Sequence, residues 1–112
     1  MTNEVTTANC GKREPSSTPR FPMGQLLATP GSLRAMAELG VWPQTLLARH
    51  ARGDWGDMCA DDRAANELAL THGNRLMSSY RLQAPGTAAE ITIWVITEWD
   101  RSVTTILLPE EY

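Results

Sequence analysis

The sequence predicts one α+β domain: about three short N-terminal helices packed on a small antiparallel sheet whose C-terminal part is a three-stranded meander. Three observations predict it. Thr29-Pro30 and Trp42-Pro43 are helix-start signals followed by apolar residues at spacings of three and four, and a third such segment opens at Asp61-Asp62. The run Ile91–Glu98 is dense in β-branched and aromatic side chains. Turn signals at Pro85-Gly86 and Trp99–Ser102 separate that run from two other strand-like segments.

Residues 1–22 are rich in Thr, Ser, Asn, Pro and charge, with only Val5 and Phe21 as larger apolar groups, so they are read as a disordered tail. The domain is expected over 23–112. Gly24–Thr29 holds a short apolar run, a candidate strand. Thr29 is placed to cap the first helix and Pro30 to occupy its first position; Leu33, Met36, Ala37 and Leu39 form the apolar side, and Gly40 ends it. The second helix starts at Trp42-Pro43, with Trp42 as a hydrophobic staple and Leu46, Leu47 and His50 on one side. The segment Gly53–Asp57 breaks it. The third helix runs from Asp61 to His72, with Ala65, Leu68, Ala69 and His72 sharing a face and Gly73 as its C-terminal cap.

The strands follow. Arg75–Leu82 alternates, with Leu76, Ser78, Tyr80 and Leu82 on one face. In Ile91–Glu98, Ile91, Ile93, Val95 and Thr97 face one way and Thr92, Trp94, Ile96 and Glu98 the other. Both sets are largely apolar, so this is expected to be the middle strand, with Trp94 in the core. Val103–Leu108 completes the meander before Pro109.

Composition narrows the function. Net charge is -3, which argues against a general polyanion binder. Of the two cysteines, Cys10 lies in the expected tail, so a Cys10–Cys59 disulfide is not expected and a cytoplasmic location is the simplest reading. No apolar run approaches the roughly 18 residues of a membrane span. His50, Cys59 and His72 lack paired ligand spacing, so no metal is expected, and no phosphate loop or nucleophile motif indicates a cofactor.

Two segments carry candidate chemistry. Arg49-His50-Ala51-Arg52-Gly53-Asp54-Trp55-Gly56-Asp57 gathers an imidazole, two guanidiniums, two carboxylates and an indole. Such groups can serve as a general base near neutral pH and as a bidentate phosphate clamp. The competing reading is structural: Trp55 plugs the core under a Gly-bracketed turn, Asp54 or Asp57 caps a neighbouring element, and His50 packs on the helix face. In Trp99-Asp100-Arg101-Ser102-Val103-Thr104-Thr105, Arg101 with Thr104 or Thr105 could hold an oxyanion; the competing reading is a hairpin turn in which Asp100 bonds its own backbone. The resulting candidates are His50, Arg101 and Thr105 for catalysis, and Arg49, Arg52, Asp54, Trp55, Trp99, Asp100 and Arg101 for binding.

Ala28-Thr29-Pro30-Gly31, the stretch Arg49-His50 to Gly53-Asp54-Trp55-Gly56, and the ending Ile96-Thr97-Glu98 to Arg101–Tyr112 resemble a family of small bacterial proteins often labelled plasmid-related protein. Some members carry the label type I restriction endonuclease subunit M. The similarity covers 23–112 and implies a mobile-element setting. The restriction-modification label finds no support: the chain is too short for an adenine methyltransferase domain and has neither a glycine-rich cofactor loop nor an Asn-Pro-Pro-Tyr signature.

The first expectation is therefore an accessory binding protein of plasmids or integrative elements with a protein partner. The alternative is a small metal-independent RNase-like enzyme using His50 and Arg101, which requires both side chains to converge on one cleft. A non-catalytic nucleic-acid binder using Arg34, Arg49 and Arg52 ranks third. The oligomeric state is left open.

Overall fold

The computed structural model describes residues 19–84, 86 and 89–112. The expected tail through residue 18, including Cys10, lies outside them. In chain order the elements are β1 (Gln25–Ala28), α1 (Pro30–Leu39), α2 (Pro43–Ala51), α3 (Ala60–His72), β2 (Leu76–Gln83), β3 (Glu90–Thr97), β4 (Val103–Leu107) and a closing 3-10 turn (Pro109–Glu111).

The α+β class holds, with two corrections to its finer description. The four-stranded sheet has the order β1-β4-β3-β2 and is mixed, so as a whole it is not a simple meander. β2, β3 and β4 are successive antiparallel neighbours, but β1 joins β4 in parallel, with Leu27 opposite Thr105. Nor are the helices simply N-terminal: a strand precedes them and a helical turn follows the sheet. Parallel pairing of β1 needs a crossover, and the whole chain from α1 to β3 supplies it.

Local chemistry explains the helix boundaries. The Thr29 hydroxyl accepts the Ser32 amide at 3.1 Å, Pro30 occupies the first turn, and Gly40 ends α1 in the left-handed region. Gly73 ends α3 the same way. The Glu111 carboxylate accepts both the Leu108 amide and the Thr29 hydroxyl, tying the chain's end to the start of α1.

All the side chains that α1 and α2 bury against the sheet meet one face of it. Ala35, Met36, Leu46 and Leu47 form a single cluster with Tyr80, Ile93, Val95 and Ile106. A second cluster on that side joins Phe21, Trp55 and Ala69 to Leu76. Phe21 is buried and the Arg20 amide bonds Ala51 O, so the packed chain begins before the expected boundary at Met23.

Three further expectations change. Trp94 lies on the other face, half-buried, with its ring edge-on to Tyr112 at 5.8 Å between centroids. Trp42 is 73% exposed and is no staple. On α3 the buried residues are Asn66 and Ala69, while Leu68 is exposed. This helix flanks the β2 edge, and its Asn66 amide bonds Met77 through both N–H and C=O, a polar anchor that apolar periodicity cannot reveal.

Candidate functional site

The Arg49–Asp57 segment is a turn whose polar groups bond one another. Arg49 Nε donates to Asp54 Oδ2 at 2.7 Å, and its guanidinium lies 4.4 Å from the centre of the Tyr80 ring. The Arg49 hydrogen bond holds the Asp54 carboxyl below its ordinary range. Asp54 Oδ1 accepts the Gly56 amide, and Asp54 O accepts the Tyr80 hydroxyl at 2.6 Å. Burial pushes the Tyr80 phenol up to about 12, so it stays protonated and keeps the proton it donates to Asp54 O. Trp55 is buried, and its indole donates to Glu67, whose carboxylate also takes the Arg20 fork at 2.8 and 3.0 Å. Arg52 is half-exposed.

His50 is 0% exposed. Its Nδ1 lies 2.6 Å from Ser78 Oγ and its Nε2 2.9 Å from Thr97 Oγ1; Thr97 Oγ1 is 2.7 Å from Thr104 Oγ1, which donates to Met23 O at 2.7 Å. The direction of this chain can be deduced. Met23 O only accepts, so the Thr104 proton is committed to it. Thr97 must then donate to Thr104, His50 Nε2–H to Thr97, and Ser78 to His50 Nδ1. The imidazole is a neutral Nε2–H tautomer with both nitrogens satisfied. Burial, aided by the nearby Arg101 charge, pushes its pKa down to about 4.

Arg101 is not aimed at that imidazole. The Phe21 ring packs edge-on against His50 at 5.3 Å, and the Arg101 guanidinium stands 5.8 Å from the same ring. The guanidinium donates to Ala69 O (3.1 Å), Asn74 O (2.7 Å) and Glu98 O (3.1 Å), clamping the C-terminal end of α3 to the β3–β4 turn. Arg101 itself holds φ 61, an uncommon backbone for a side-chain-bearing residue. Asp100 Oδ1 accepts the Ser102 amide within the turn, and Trp99 stands 66% exposed at its tip. We expect Arg101→Ala to cost about 2 kcal/mol in urea unfolding, since the clamp is lost while the left-handed backbone remains. Arg101→Gly should cost about 1 kcal/mol less, because it removes the same bonds and relieves the backbone. Equal losses would mean that the backbone carries no strain.

Thr105 lies on the opposite side of the sheet from Thr104 and hence from His50. His50, Arg101 and Thr105 are therefore not brought together around one open cleft. Among the described residues no group of His, Cys, Asp and Glu is arranged to hold a metal ion, and Cys59 is an exposed free thiol. A concavity of about 410 Å3 lies at the far end of β3, lined by Ala35, Glu90, Ile91, Thr92, Leu108, Pro109 and Glu110. A smaller one of about 300 Å3 lies beside Trp42. Neither contains a sequence-predicted catalytic residue. No helix among the described residues is long and apolar enough to cross a membrane.

Sequence reasoning singled out His50 without its partners Ser78, Thr97 and Thr104. A signal existed: Ser78 and Thr97 sit at the positions of their strands that alternate with Leu76, Tyr80, Ile93 and Val95, and an inward hydroxyl needs a polar partner. Compared with family models, curated proteins and solved structures, the chain matches none.

Proposed function

We propose that this chain is a cytoplasmic accessory protein of plasmids or integrative elements that works by binding a protein partner through the helix-free face of its sheet. One observation carries the reading. The two hydrophobic clusters join the helices to one face, whereas the other carries half-exposed Leu27 and partly buried Met77 and Trp94 around buried Ile96 and Leu107, with Tyr112 packed on Trp94. One row crosses all four strands as Met77, Ile96, Thr105 and Leu27; the next runs Ser79, Trp94, Leu107. Arg75 stacks on the exposed Tyr112 ring at 5.5 Å. Tryptophan, tyrosine, methionine and arginine are the side chains enriched in interface centres. Trp99, the exposed member of the sequence-derived binding set, stands at the end of the same sheet. The mobile-element setting is supported by the family resemblance over 23–112.

The duties of His50 and Arg101 within the fold favour binding over chemistry. The test is capture of partners from a host lysate by the full chain, by Tyr112→Ser and by Trp94→Glu. The wild type should retain one stoichiometric partner that both variants release, with circular dichroism unchanged for Tyr112→Ser. Retention by both variants, or no stoichiometric partner, overturns this surface. RNA cleavage by the purified chain that is lost in His50→Ala would restore the enzyme reading.

A further inference from the structure

The two edges of the sheet are treated differently. Along β2 the outward backbone groups from Met77 to the Arg81 amide are engaged: Met77 by the Asn66 side chain, Ser79 by the backbone of Trp55 and Asp57, and the Arg81 amide by the Asp57 carboxylate at 2.8 Å. Along β1 they are not. The Gln25 and Thr29 amides donate to Ser102 O and Ile106 O of the neighbouring strand, each at 3.0 Å. By strand alternation the N–H and C=O groups of Leu26 and Ala28 point the other way, and among the described residues nothing pairs with them. Leu26 and Leu27 are 50% and 46% exposed. The edge has none of the usual guards: Gln25–Ala28 contains no charge and no proline.

We infer that β1 is a self-association edge, pairing antiparallel with β1 of a second copy about a two-fold axis through Leu27. The outward residues Leu26 and Ala28 are two apart. A dyad at Leu27 therefore sets Leu26 opposite the partner's Ala28, and by symmetry Ala28 opposite the partner's Leu26, each pair exchanging both backbone bonds. Both strands then keep the same sheet face on the same side. Leu27 meets its own copy directly on the helix-free face, which makes the Met77–Leu27 row continuous across both copies. A second copy fits this edge because two chains of net charge -3 meet there over an uncharged strand, with no like charges opposed. So short an edge is small beside the roughly 800 Å2 per partner of a standard interface, and the dimer is a concentration-dependent one.

Register-specific cross-linking tests it. In a Cys10→Ser, Cys59→Ser background, Leu27→Cys should oxidise to a covalent dimer, since directly opposed residues of a non-hydrogen-bonded pair stand about 4.5 Å apart at Cα. Leu26→Cys, opposite the partner's Ala28, should not. In sedimentation equilibrium the wild type should shift from monomer to dimer mass with concentration, while Leu27→Lys and Leu26→Pro stay monomeric with unchanged circular dichroism. Leu26→Pro removes only an outward amide, so it tests the edge without breaking the bonds to β4. A monomeric wild type up to roughly 1 mM protomer overturns the proposal. So does a dimer that both variants retain, or one that cross-links equally through residue 26.

Discussion

Acidification from pH 7 to about pH 4 is expected to remove about 3 kcal/mol of folding stability through His50 alone. In the fold the imidazole is neutral, with a pKa of about 4 against an ordinary 6.5. Between those values the unfolded chain binds a proton that the folded chain refuses. Stability is therefore fully present above 6.5 and is lost as pH falls toward 4, by about 1.4 kcal/mol per unit. The physical obstacle is the directed hydroxyl chain. A second proton must go on Nδ1, so Ser78, which donates there at 2.6 Å, has to turn and accept, and the resulting cation sits in a fully buried site beside the Arg101 charge. Urea unfolding followed by tryptophan fluorescence from pH 7.5 to 4.5 measures the slope. His50→Gln should lower stability at neutral pH and flatten the slope in this window. The carboxyls of Asp54 and Glu67, held low by Arg49 and Arg20, lose their contribution only as pH falls through and below the ordinary carboxylate range, so they do not mimic it. A wild-type stability that stays level between pH 6.5 and 4.5 would refute the assignment.

The same network shows which parts of this molecule are legible in one dimension. Thr29, Pro30, Gly40 and Gly73 could be placed from sequence because capping is settled within four or five residues. The alternation of β3 was equally readable, since strand geometry fixes which side chains share a face. What alternation cannot say is which face the helices cover. Both sets in β3 are apolar, and the helices chose Ile93 and Val95, leaving Trp94 to Tyr112. β1 carries no local sign of its parallel partner, whose residues lie some eighty positions away. His50 meets Ser78 and Thr97 across 28 and 47 residues, so a histidine that read as a candidate base is a core group.

The polar turn after α2 was also ambiguous in sequence, because charged residues in a loop suit a site and a seal equally. Here the decisive residue is a glycine. Gly56 bridges to Ser79 at the outer edge of β2 with φ 76, and a Cβ there would overlap the Ser79 carbonyl oxygen and press on the Tyr80 ring at 2.6 Å. Neither neighbour can give way. Ser79 O accepts the Asp57 amide at 2.6 Å, and the Tyr80 ring is held between Arg49 and the core. Gly56→Ala should therefore cost about 3 kcal/mol or more, combining the left-handed backbone penalty with displacement of the loop. Gly73→Ala is the matched comparison: its φ is 71, but a Cβ there meets nothing within 4 Å, so only the backbone penalty of about 1 to 2 kcal/mol applies. For a domain of this size the difference between the two variants corresponds to several degrees in melting temperature. A further consequence separates a seal from a mere turn. With the loop displaced, the Ser79 and Arg81 edge groups lose their partners, and Gly56→Ala should aggregate on heating where Gly73→Ala unfolds reversibly. Equal costs for the two glycines would mean that the loop yields freely and that the β2 edge is not what the Arg49–Asp57 segment protects.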